Sequence, residues 1–218
     1  MSEKIKNGIT ELVFILDRSG SMSGLEADTI GGFNSMIKKQ KGLEGQVYVS
    51  TVLFSDRSQV LHDRVPIDEI ETLTEKDYEV FGCTALLDAI GQAICHIKNV
   101  HKYARPEDVP ERTLFVITTD GMENASHNYT TEQIKSMIED KKASLGWEFL
   151  FLGANIDAVE TAGRIGIRPE MAATYHSDHT GTQLNYSVIS ETVCAFRAGE
   201  PIAQTWKAPI DTDFRQRK

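Results

Sequence analysis

The chain has 218 residues, 40% of them apolar and 25% charged, with a formal net charge of −9 at pH 7. That is the composition of a globular protein long enough to bury one full core, and it excludes disordered and fibrous classes. The acidic balance argues against a nucleic-acid partner, which calls for a basic patch, and no apolar run approaches the length of a membrane span.

Met1 to Asn7 leads into the first predicted strand without the apolar stretch of a signal peptide, so a cytoplasmic chain is expected. The three cysteines, Cys83, Cys95 and Cys194, are odd in number, far apart and without a CxxC pair. They predict reduced, mostly buried thiols.

In chain order, Leu12-Val13-Phe14-Ile15-Leu16 predicts a buried strand. It runs into Asp17-Arg18-Ser19-Gly20-Ser21-Met22-Ser23, a polar loop before a helix over Asp28–Lys41 with Ile30, Phe33 and Ile37 on one face. Gly31 and Gly32 inside that helix each cost about 1 kcal/mol relative to alanine. Gln46–Phe54 and Gln59–Val65 predict two strands joined by the short Ser55–Ser58 link, hence a hairpin and an antiparallel edge. Ile67–Gly82 is acidic and irregular and predicts a surface connection with one short helical turn. Thr84 then sits just before a long helix running to about Tyr103, with Leu87, Ile90, Ile94 and Ile97 at helical spacing.

Arg112–Thr119 predicts a second buried strand, ending in Asp120-Gly121. Thr130-x-x-Gln133 is a capping-box pattern opening a helix that carries Ile134, Met137 and Ile138. Trp147–Leu152 predicts a further central strand, followed by a short helix ending near Gly166 and a last strand over Met171–Tyr175. Thr180–Phe196 predicts the final helix, with Leu184, Val188, Ile189, Val193 and Phe196 along its apolar stripe. The segment from Gly199 to Lys218 reads as an extended, mobile tail. Alternation of strand and helix predicts a doubly wound, mainly parallel sheet with helices on both faces. No linker or repeat divides the chain, so residues 1–218 are expected to form a single domain with its core over about 11–196.

Three loops supply hard oxygen. Asp17, Ser19 and Ser21 stand at i, i+2 and i+4 after the first strand; Thr84 stands at the mouth of a helix; Asp120 ends a central strand. Open α/β sheets hold ligands at the carboxyl ends of their strands. Two carboxylates and three hydroxyls form a shell whose charge a divalent ion cancels, and hard donors of this kind favour Mg2+ or Mn2+. With so many neutral donors the ion would stay electrophilic and keep an outward position for a partner's Asp or Glu carboxylate. Taken singly, each loop has an ordinary reading as an N-cap cluster, a helix cap or a turn; their combination in this order is what points to a metal. Glu123, Asn124 and His127 read equally well as rim contacts or as solvated loop, whereas Asn155 and Asp157 read first as caps of the following helix and second as the edge of the binding face.

Asp-x-Ser-x-Ser after the first strand, Thr84 in Gly-Cys-Thr-Ala-Leu, and Thr-Asp-Gly at residues 119–121 together resemble the von Willebrand factor type A domain and its metal-ion-dependent adhesion site (MIDAS). The resemblance runs from about Glu11 to Phe196. It implies a Rossmann-like six-stranded sheet in the order 3-2-1-4-5-6, with Ser19, Ser21 and Thr84 as hydroxyl ligands and Asp17 and Asp120 coordinating directly or through water. It further implies a protein-binding module without catalysis, similar to cytosolic stand-alone bacterial members, some of them associated with tellurite-resistance and stress systems. Two readings compete. A Mg2+-dependent phosphatase would attack with Asp17, yet Ser19 stands where such enzymes carry a second Asp. A scaffold would use a metal only for stability.

Overall fold

The structure, a computed structural model, describes residues 8–217. Six strands form one sheet in the order β3-β2-β1-β4-β5-β6: β1 (Thr10–Asp17), β2 (Val47–Phe54), β3 (Ser58–Pro66), β4 (Arg112–Thr119), β5 (Glu148–Ala154) and β6 (Ala172–Tyr175). Every pairing is parallel except β2 with β3, the expected hairpin. All eight residues of β1 are buried, as a central strand covered on both faces requires.

Helices α1 (Glu26–Lys41) and α5 (His179–Arg197) pack together on one face. On the other lie α2 (Leu86–Tyr103), α3 (Thr131–Leu145) and the short α4 (Ala158–Arg164), as right-handed crossovers demand. The capping box of α3 is formed: the Thr130 hydroxyl accepts from Gln133 N and the Gln133 side chain accepts from Thr130 N. Gly146 closes α3 in the left-handed conformation at φ 68°. Gly32 has a packing reason to interrupt α1, because a β-carbon there would lie 2.3 Å from the Tyr186 ring on α5.

Three expectations are corrected. The segment after Gly199 is not an extended tail: it turns and forms α6 (Ala208–Gln216), packed on β6 and α5. Trp206 and Ile210 are buried there, the indole N–H donates to Glu170 O at 2.7 Å, and Lys207 Nζ reaches the Ala172 carbonyl on β6 at 2.6 Å. Residues 67–82 contain the expected short helical turn, Ile67–Glu69, but are no mere surface connection, because Ile67, Ile70, Leu73 and Tyr78 are buried and pin the segment to the core. None of the three thiols is buried: Cys83 is exposed and Cys95 and Cys194 are half-buried, all of them free.

The opposite pole of β1 carries a buried ion cluster that the sequence pattern did not announce. Glu11 is wholly buried, and its carboxylate meets Arg64 Nε at 2.8 Å and the His101 ring. Arg64 takes a left-handed backbone conformation, φ 50°, at a point where the β2–β3 ladder shifts register.

Candidate metal centre

The carboxyl ends of β1 and β4 lie side by side, with Leu16 opposite Thr118 in the register. That places Asp17, the last residue of β1, beside the loop that begins with Asp120 just past β4. Asp17 is almost fully buried, and both of its oxygens are engaged: Oδ1 accepts from Ser19 N at 2.7 Å and Oδ2 from the Thr119 hydroxyl at 2.6 Å. The first contact folds the loop back over the strand end, so the Ser19 and Ser21 hydroxyls meet at 3.0 Å. Ser21 Oγ then donates to Asp120 Oδ1 across 99 residues of sequence.

Thr84 arrives from a third loop. Its backbone is clamped by Asn124, whose Oδ1 accepts from Thr84 N at 2.9 Å and whose N donates to Thr84 O at 3.0 Å. Gly20 N donates to Gly82 O at 3.0 Å, tying the first and second loops together. The space in front of Gly121 measures the convergence: a β-carbon there would sit 3.1 Å from Ser21 Oγ and 3.2 Å from Thr84 Oγ1. All five sequence-predicted residues thus gather in one pocket of oxygen atoms. Four of them are buried, and Ser21 is exposed on the outer side.

Burial pushes the Asp17 carboxyl above the ordinary aspartate range, a rise opposed by the hydrogen bonds from Thr119 and Ser19 and reinforced by the charge of Asp120. Burial likewise raises Asp120, against the hydrogen bonds from Ser21 and Ser177. Two buried carboxylates that feel each other's charge are costly when ionised, and a divalent cation is the partner that chemistry of this kind favours. No cluster of three or more His, Cys, Asp or Glu suited to a metal occurs among the described residues. The donor set here is instead hydroxyl-rich, which suits a hard ion.

The surrounding residues resolve the ambiguous rim. Glu123 accepts from Leu87 N, Ala125 N and Ser126 N, so it closes the start of α2 and shapes its own loop. Asp157 caps α4 through Glu160 N. Asn155, at φ 54°, donates to the Asp120 carbonyl at 3.3 Å and therefore belongs to the site's edge. His127 offers its backbone N–H to Asp88. Two groups have no counterpart in the sequence motifs: Ser177 and Tyr78, whose hydroxyl donates to the Asp17 carbonyl, while Thr119 of the Thr-Asp-Gly motif serves as a donor to Asp17.

No protein-family model matches the chain, and neither does any curated protein sequence. Solved structures do. A point mutant of the PilB minor pilin from Streptococcus sanguinis aligns with a TM-score of 0.62 and 14% identity, over 88% of this chain and 63% of the pilin. A von Willebrand factor type A protein from Catenulispora acidiphila gives a TM-score of 0.56 and 13% identity over 84% of this chain and 42% of that one. Proximal thread matrix protein 1 from the mussel byssus, solved with a zinc-occupied MIDAS motif, gives 0.58 and 15% over 86% and 46%. In each case this chain spans less than two thirds of its neighbour. Sheet order and neighbours agree: the chain has the von Willebrand factor type A fold.

Proposed function

We propose that the chain is a divalent-metal-dependent protein-binding module, with Asp17, Ser19, Ser21, Thr84 and Asp120 holding the ion. The observation that carries this reading is the meeting of three separated loops at Gly121, where the hydroxyls of Ser21 and Thr84 face one small space beside Asp120. The ion would supply an electrophilic position for a carboxylate, and the partner of this module is a protein presenting Asp or Glu. The zinc-occupied MIDAS of the mussel protein supports a divalent cation at such a site; Mg2+ or Mn2+ is our choice on donor hardness.

Nucleophilic attack by Asp17 is disfavoured by its surroundings, since the side chain is buried and both oxygens already accept hydrogen bonds. We take residues 1–218 as one such module, without enzymatic activity. As a further part of this proposal, we take the chain to be a cytosolic stand-alone member of a bacterial stress system. Among the described residues no helix is long and apolar enough to cross a membrane.

Calorimetric titration of Mn2+ into the wild type and Asp120→Ala tests the metal. Mn2+ binding by wild type alone is expected, and equal binding by both would end this reading. Partner capture with Mg2+ and with EDTA tests the function: retention in EDTA would leave only a structural role for the ion.

A further inference from the structure

Asp120 has a second hydroxyl on it that is not one of the five proposed ligands. Ser21 occupies Oδ1, and Ser177 Oγ donates to Oδ2 at 3.2 Å. Ser177 lies in the turn between β6 and α5, and its neighbours are gripped by α6 and by Arg217 at the C-terminal end of that helix. The His176 ring stacks on Phe214 at 4.7 Å between centroids, and its Nε2 lies 3.2 Å from the Phe214 carbonyl. Asp178 caps α5 through Gly181 N at 2.8 Å and is held by Arg217, which also pairs with Asp213. Anchoring on both sides fixes the backbone of the turn, and the bond to Asp120 selects the rotamer of the Ser177 hydroxyl.

Resting on the metal reading above, we propose that Ser177 is a positioning residue of the site: it orients the Asp120 carboxylate, and α6 holds it there. Groups that orient a ligand from outside the coordination shell typically change metal affinity by roughly ten- to a hundredfold when removed.

The test is Mn2+ affinity of the full chain, by calorimetry, for wild type, Ser177→Ala, Ser177→Thr, Phe214→Ala and the Ser177→Ala/Phe214→Ala pair, with thermal melts alongside. Ser177→Ala should weaken binding roughly tenfold at an unchanged melting temperature, and Ser177→Thr, which keeps the hydroxyl, should restore it. Phe214→Ala should weaken binding in the wild-type background and add nothing to Ser177→Ala, because both act on the same carboxylate. Wild-type affinity in Ser177→Ala, or full additivity in the pair, would overturn the proposal while leaving the metal reading intact. Absence of Mn2+ binding by wild type, or its persistence in Asp120→Ala, would instead remove the metal reading and this inference with it.

Discussion

Asp17→Asn separates charge from shape at the heart of the site. The amide can keep both existing contacts: its oxygen accepts from Ser19 N, and its NH2 donates to Thr119 Oγ1, whose hydroxyl then turns to the Gly121 carbonyl 3.2 Å away. Fold and loop should therefore survive. What disappears is one of the two negative charges that a cation would neutralise. With metal at a hundred times its dissociation constant, binding stabilises the native state by about 2.7 kcal/mol. For a chain of 218 residues, each kcal/mol moves the melting temperature by roughly 2–4 °C. Wild type should thus gain roughly 5–11 °C in saturating Mg2+ or Mn2+. The variant should gain almost nothing, yet melt no lower than wild type in EDTA, since it no longer buries an uncompensated carboxylate. Differential scanning calorimetry in EDTA and in metal gives all four numbers. A metal-induced shift in Asp17→Asn as large as in wild type would refute the reasoning.

The raised Asp17 carboxyl sets a pH dependence. Its folded-state value lies above its unfolded one, so wild type loses stability as pH rises through the range above the ordinary 3.8, and Asp17→Asn does not. In EDTA the advantage of the variant should be full at pH 7 and fade as pH falls through that range; thermal melts across pH check the sign. Gly32→Ala places a β-carbon 2.3 Å from the Tyr186 ring, so overpacking of about 1–3 kcal/mol should outweigh the gain in helix propensity and lower the melting temperature, with Mn2+ affinity unchanged. Arg64→Ala leaves Glu11 buried beside His101 alone; a loss of about 3 kcal/mol, or roughly 6–12 °C, is expected from melts, again without effect on metal titration.

The parallel, doubly wound sheet and the candidate loops were legible for the same reason, whereas the strand order came with the von Willebrand factor type A resemblance. The apolar runs Leu12–Leu16 and Leu114–Ile117 have no competing reading as surface, and each ends abruptly in hydroxyls and carboxylates. Helix boundaries shifted by only a residue or two where caps such as Thr130 and Asp157 wrote them. Side chains acting across long sequence separations left no local trace. Ser177 reaches Asp120 from 57 residues away and Tyr78 reaches Asp17 from 61, each from a segment without periodicity. Helix α6 was missed because only Ile210 of its nine residues is buried, too little to show as a stripe, and Pro209 near its start resembled loop punctuation. Asn124 looked like any polar loop residue; its two bonds to the Thr84 backbone arise only once β4 and α2 are neighbours.

The two margins of the sheet are closed in different ways, and this narrows how the molecule can meet others. On one side β3 carries Asp63 and Arg64 and breaks its ladder with β2, so an incoming strand finds charges and a kinked template. On the other, β6 is only four residues long, and Lys207 already occupies the Ala172 carbonyl with α6 packed alongside. Neither margin offers the flat row of unsatisfied amides that strand addition exploits. Recruitment by backbone zippering is thereby suppressed at both margins.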